Sequence, residues 1–232
     1  MSEVEDVWDS MSERVVDMIT FSLRDTKNAK VFVEAKTAIH TFIRTLESFE
    51  FSVSRLNALV LSFFRRFAQL LRERFAADFQ QAIREAQHQP MIVNDATELA
   101  KVLSVCWLKP GEAEQLAKQP FPLSLPFSQT YPLCCMDIRS LVEQYYSFSQ
   151  GMTQYHQEID AILSQSLDDL LIQLISVNIR DTVEQSNNLS QIAQIIVNIE
   201  HFQLACSELE KWLSDSSTPN PGSQLILGAA EH

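Results

Sequence analysis

Residues 53–87 read VSRLNALVLSFFRRFAQLLRERFAADFQQAIREAQ. Leu56, Leu59, Val60, Phe63, Phe67, Leu70, Leu71, Phe75, Phe79 and Ile83 recur there at three- and four-residue steps, with charged and amide side chains between them. That spacing lines apolar side chains along one face of an α-helix, and neither glycine nor proline interrupts it. At ~1.5 Å per residue the stretch makes a rod of roughly 45–50 Å, a length that fits an extended helical bundle better than a small globule. Pro90 then ends it, because proline removes a helical donor and clashes with the preceding turn.

The same period extends upstream. Val4, Val7, Trp8, Met11, Val15, Met18, Ile19 and Ser22 predict one helix, and Val31, Ala35, Ala38, Ile39, Phe42, Ile43, Leu46 and Phe49 predict a second. The short connection over 48–54 predicts that the second helix and the long one fold back as an antiparallel hairpin. Downstream of Pro90, Asn94 is the expected N-cap of a restart, and 101–107 fits helix or strand equally well.

Residues 109–132 hold five of the eight prolines, at 110, 120, 122, 126 and 132. Such a segment is expected to be extended or turn-like. It also carries Phe121, Leu123, Leu125, Phe127 and Tyr131, too many large apolar groups for a solvated linker. The reading is a strap packed across a bundle, and a domain junction. Three more helical stripes follow, over about 133–150, 155–184 and 189–213, and a Ser/Pro/Asn/Gly-rich tail closes the chain. The expected organisation is all-α, with six or seven long helices in antiparallel bundles stacked into a rod. It comprises a first bundle at 1–118, a strap at 119–132, a second bundle at 133–213 and a flexible tail at 214–232. No sequence repeat marks a solenoid.

Composition narrows the function classes. Hydrophobic residues make up 46% of the chain, enough for a core. The formal net charge of −12 argues against nucleic acid or an anionic membrane surface as a direct partner. Cys106, Cys134, Cys135 and Cys206 form no CxxC pair and read as buried thiols of a reduced, cytoplasmic protein. The acidic start does not resemble a signal peptide, and no apolar run reaches the ~20 residues of a membrane span.

Chemistry-bearing motifs are absent. There is no GxGxxG, Walker A, HExxH, GxSxG or EF-hand pattern, and the histidines show no ligand spacing. Asp168-Asp169 point about 100° apart on a helix, Glu200-His201 reads as a surface pair, and Arg65, Arg66, Arg72 and Arg74 read as a solvated face. Neither catalytic residues, nor a cofactor, nor a metal site is expected.

Several strings carry a family resemblance. Phe121-Pro122-Leu-Ser-Leu-Pro126-Phe127-Ser128-Gln129, followed by Tyr131-Pro132-Leu133-Cys134-Cys135, resembles a segment of the Sec-fifteen family of exocyst subunits. Ser166 to Leu171 (SLDDLL) is similar to another of its strings, as is the helix running from Leu189 through Asn198, His201 and Phe202 to Glu210. Val7-Trp8-Asp9-Ser10-Met11, Phe51 to Leu56 and Pro90 to Asn94 agree more loosely but in the family's order, so the resemblance spans about 4–213. Its form is closer to the fungal than to the animal members.

The resemblance implies a non-enzymatic helical-rod tether within the exocyst, capturing secretory vesicles at the plasma membrane before fusion. It implies other exocyst subunits as partners, Sec-ten first, and a peripheral membrane association made through the complex. It also implies an effector role toward a secretory Rab GTPase that belongs to the full-length protein. Full members are several times longer, so the expectation is a central piece without the terminal regions. The expected interaction residues are Phe121, Pro122, Pro126, Phe127 and Pro132 of the strap and Ile192, Ile195, Ile199, Phe202 and Leu209 of the last helix. The alternatives are a related Golgi or endoplasmic-reticulum tether, and a small all-α ligand carrier or enzyme with a pocket between helices.

Overall fold

A computed structural model describes residues 3–86, 88–186 and 188–216. The fold is all-α. Among the described residues nine α-helices are joined by one 3-10 turn, one π segment and a two-residue antiparallel ribbon. The chain forms two compact units, one of 1–74 and 147–166, the other of 75–146 and 167–232. These bounds are drawn differently from 1–118 and 133–213. Helices α3 (Ser54–Glu85), α6 (Thr130–Ser149) and α7 (His156–Asp168) each contribute residues to both units.

The first unit is built on α1 (Glu3–Leu23), α2 (Ala29–Ser48) and the first part of α3. Asn28 caps α2 by accepting from the Lys30 amide at 3.0 Å. The α2–α3 connection is a Schellman turn with Glu50 left-handed at φ 62°, in which the Phe51 amide reaches Leu46 O at 3.1 Å and that of Glu50 reaches Glu47 O at 3.0 Å. Phe32, Phe63, Phe64, Phe67 and Phe148 form the aromatic centre, and the Phe67 and Phe148 rings lie 4.6 Å apart. Lys36 is buried and spends its ammonium on the end of α6, donating to Phe148 O and, at 2.7 Å, to Gln150 O. A cation there satisfies orphan carbonyls and opposes the negative end of the helix dipole. On α1, Ser12 is the one buried side chain among the described residues, and Trp8 is half-buried against Phe42 and Phe51 while donating to Ser52 O at 2.8 Å.

The second unit takes up α3 from Phe75 onward, where Phe75 and Phe79 are buried. Asp95, not Asn94, caps α4 (Ala96–Val105): its carboxylate accepts from the Glu98 amide, and the Glu98 carboxylate accepts from the Asn94 amide, both at 2.8 Å. The cap thus sits one residue later than the sequence suggests, and the Glu98 carboxylate reaches past it to the preceding amide. It settles most of 101–107 as helix. The proline-rich stretch also holds a six-residue helix, α5 (Glu112–Ala117). α6 begins at Thr130, ahead of Pro132, because a proline in the first helical turn sacrifices an amide that has no intrahelical partner anyway.

The expected single helix over 155–184 is instead a 3-10 turn at Thr153–Tyr155, α7, a π segment at Asp169–Ser176 and α8 (Val177–Gln185). α9 (Leu189–Ser216) is the last described element. The tail expected at 214–232 falls from 217 onward outside the described residues.

Candidate functional site

Within the second unit, side-chain hydrogen bonds tie the segment 119–132 to α9. Proline denies the segment a helical period, so its backbone must find partners elsewhere. β1 (Ile92–Val93) and β2 (Leu123–Ser124) pair antiparallel. The ribbon continues past them, with Leu125 N–H donating to Met91 O at 2.7 Å and Met91 N–H donating to Phe127 O at 3.0 Å. Extension sends alternate side chains inward: Leu123, Leu125 and Phe127 are buried and Ser124 is exposed.

Two α9 amides hold the ends of that ribbon. Gln194 donates to Pro126 O at 2.9 Å. Asn198 accepts from the Ser128 amide at 2.9 Å and donates to the Ser128 hydroxyl at 2.7 Å. Gln194, Asn198 and Ser128 are all buried. Each bond therefore removes a desolvation cost that an unpaired buried amide would carry.

Beside them His201 lies in an aromatic nest. Its ring centroid is 5.2 Å from Phe127 and 5.3 Å from Tyr131, and Tyr131 in turn meets Phe202 edge-on at 5.1 Å. Nδ1 of His201 is 2.8 Å from Val197 O, and Nε2 is 3.2 Å from a Glu112 carboxylate oxygen. Burial first, then the thiols around it, pushes the Tyr131 phenol up, so it stays protonated and donates to Trp107 O at 2.6 Å. Arg139 closes the end of α4 by donating to Val105 O at 2.8 Å, with its guanidinium 4.1 Å from the Trp107 ring centroid.

The residues singled out from sequence divide. Phe127 and Pro132 are buried, Pro126 is half-buried, and Phe121 and Pro122 are exposed, joined by a cis peptide bond. On α9, Ile195, Phe202 and Leu209 are buried, whereas Ile192 and Ile199 are half-buried at the edge of the face. The buried face is centred on Gln194, Asn198, His201 and Ala205, a rotation that an apolar count alone cannot find. The legible signal was Gln194 and Asn198 four residues apart beside Ile195 and Phe202, since polar groups on a packed stripe demand partners. His201 is a buried histidine, not half of a surface pair. Cys106, Cys134 and Cys135 are buried and Cys206 half-buried, and none of the four is in a disulfide. No group of three or more potential ligands among the described residues is arranged to hold a metal ion. No helix of the described residues is long and apolar enough to cross a membrane.

The buried amides of Gln194 and Asn198 tie the backbone of the strap to α9, as expected of an all-α packing scaffold. The family model for the exocyst complex subunit Sec15, C-terminal, matches residues 55–232. The chain belongs to that family. Among curated proteins the chain is similar to exocyst complex component SEC15 of Saccharomyces cerevisiae, 24% identical over 100% of this chain and 26% of that protein. It is also similar to exocyst complex component 6 of Rattus norvegicus, 24% identical over 91% of the chain and 26% of the relative. Exocyst complex component sec15 of Schizosaccharomyces pombe is 23% identical over 91% of the chain and 26% of the relative. The chain thus spans about a quarter of the length of these relatives. No solved structure matches it.

Proposed function

We propose that this chain is a non-enzymatic scaffold segment of an exocyst subunit, contributing helix-on-helix packing to the tether that holds secretory vesicles at the plasma membrane before fusion. The match of the family model over residues 55–232 carries this reading. The clasp between 119–132 and α9 supports it, because it spends its polar groups on rigidity. In this role the strap residues Phe127 and Pro132 and the α9 residues Ile195, Phe202 and Leu209 set the shape that a neighbouring subunit meets. Phe121, Pro122, Ile192 and Ile199 lie toward its surface. The partner subunit is Sec-ten, the Rab GTPase contact belongs to the full-length protein, and membrane association is peripheral and made through the complex. The protein is cytoplasmic, at secretory vesicles and sites of polarised exocytosis.

The test is a pull-down from a fungal lysate with the chain as bait and partners identified by mass spectrometry. Recovery of exocyst subunits, Sec-ten above all, is the expected result, with Phe127→Ala weakening it. Recovery of subunits of a Golgi or endoplasmic-reticulum tether in their place would overturn the reading.

A further inference from the structure

α1 has two apolar faces and only one is covered. Trp8, Val15, Val16, Ile19 and Leu23 are half-buried within the first unit. Val4, Val7, Met11, Met18 and Phe21 are each 54–66% exposed. At 3.6 residues per turn these five fall within an arc of about 100° and extend for roughly 26 Å, the footprint of one packed helix. An aligned stripe of large apolar side chains differs from the scattered exposed residues that any surface carries.

The charge beside the stripe chooses its occupant. α1 has six acidic residues and one arginine, Arg14, which lies exposed within the stripe's arc, between Phe21 and Val7 around the helix axis. Asp6, Glu13 and Asp17 are exposed along one flank. Glu13 meets Arg55 at 3.4 Å, whereas Asp6 and Asp17 have no cation partner among the described residues. A second copy of α1 would bring acid against acid, a juxtaposition that opposes association. Residues 217–232 contain no lysine or arginine to complement the flank. We propose that this face of α1 docks a basic amphipathic helix of another polypeptide, its apolar stripe on Val4, Val7, Met11 and Met18 and its Lys or Arg side chains on Asp6, Glu13 and Asp17. The inference does not depend on exocyst membership, and its test needs no lysate.

The probes are two synthetic 21-residue helices with the same leucine stripe, one flanked by lysines and one by glutamates, titrated against the whole chain by fluorescence anisotropy. The lysine-flanked helix is expected to bind saturably, and more weakly as salt screens the flank. Met11→Asp with Met18→Asp is expected to cut its affinity at least tenfold while leaving the circular dichroism spectrum unchanged. Reversing Asp6, Glu13 and Asp17 to lysine is expected to switch preference to the glutamate-flanked helix. Equal binding of both helices, or binding of neither, overturns the proposal. So does self-association of the chain in sedimentation, or adsorption to anionic phosphatidylserine vesicles, if the double aspartate variant abolishes either.

Discussion

The strap at 119–132 and helix α1 relate sequence pattern to burial in opposite ways. The strap has five large apolar residues and no helical period, yet Phe127 and Tyr131 are wholly shielded from solvent. α1 keeps a clean helical period through 21 residues, yet among the described residues Ser12 is its one buried side chain. Period determines which backbone conformation a segment adopts, because it reports how side chains are distributed around an axis. Burial depends on what covers the segment and on whether its backbone polar groups find partners. The strap meets both conditions through Met91, Gln194 and Asn198, and α1 meets them for half its circumference.

The most severe way to break the comparison is Phe127→Ala. The ring is fully buried between Tyr131 and His201, so truncation leaves a cavity lined by side chains that the ribbon and α9 hold in place. A loss of about 3–5 kcal/mol is expected, measured by urea unfolding followed by circular dichroism. A loss below ~1 kcal/mol would mean that the strap contributes no core.

Asn198→Ala probes the polar half of the clasp. It removes the acceptor of the Ser128 amide and the donor to the Ser128 hydroxyl, leaving buried groups unpaired. The expected cost is about 1–3 kcal/mol in the same assay. Asn198→Asp keeps the acceptor but places a charge in the same buried position, and it is expected to cost at least as much at neutral pH.

These two positions show how far the sequence could be read. The helical stripes of α2 and α3 are legible because their apolar residues recur at three- and four-residue steps, although Val33 and Phe42 of α2 remain exposed. Phe127 was legible because a large aromatic among prolines has no reason to be solvated. Asn198 and Gln194 were not read, because their role depends on Pro126 and Ser128, some seventy residues away in the chain, and one sequence gives no register for a long-range pair. Asn and Asp are both good N-caps, and what decides for Asp95 over Asn94 is the Asp95 carboxylate accepting from the Glu98 amide. The π segment was hidden for a different reason: an apolar run such as DLLIQLIS satisfies either winding.

A pH titration tests the first unit, where no strap supplies polar bonds. His40 is half-buried, and its Nε2 is shielded with no hydrogen-bond partner. Burial, then the nearby Lys36 and Arg44 charges, holds its pKa below the ordinary 6.5. The unfolded chain therefore takes up this proton first as pH falls through about 6.5, and stability is lost from there until the folded-state pKa is passed. Above that window both states are neutral and the group contributes no slope. Replacing His40 with Gln is expected to flatten the stability profile below about pH 6.5 without changing its slope at pH 8. An unchanged acid slope would assign that loss to His88, which burial lowers in the same direction in the second unit.

The smallest expected effect separates the two regions most sharply. Met11→Ser with Met18→Ser removes two large apolar side chains, a change that in the strap would empty a core. On α1 both side chains already meet solvent, so folding returns almost none of their transfer free energy. The stability change should stay within about 0.5 kcal/mol. Serine is a slightly weaker helix former than methionine, so what change there is should be destabilising. If urea unfolding instead shows a loss near 2 kcal/mol, something in the isolated chain already covers this face, and the contrast between a filled strap and an open helix disappears. If the loss stays small while the lysine-flanked helix no longer binds, the stripe is kept apolar for a partner. Its exposure would then be the functional counterpart of the strap's burial.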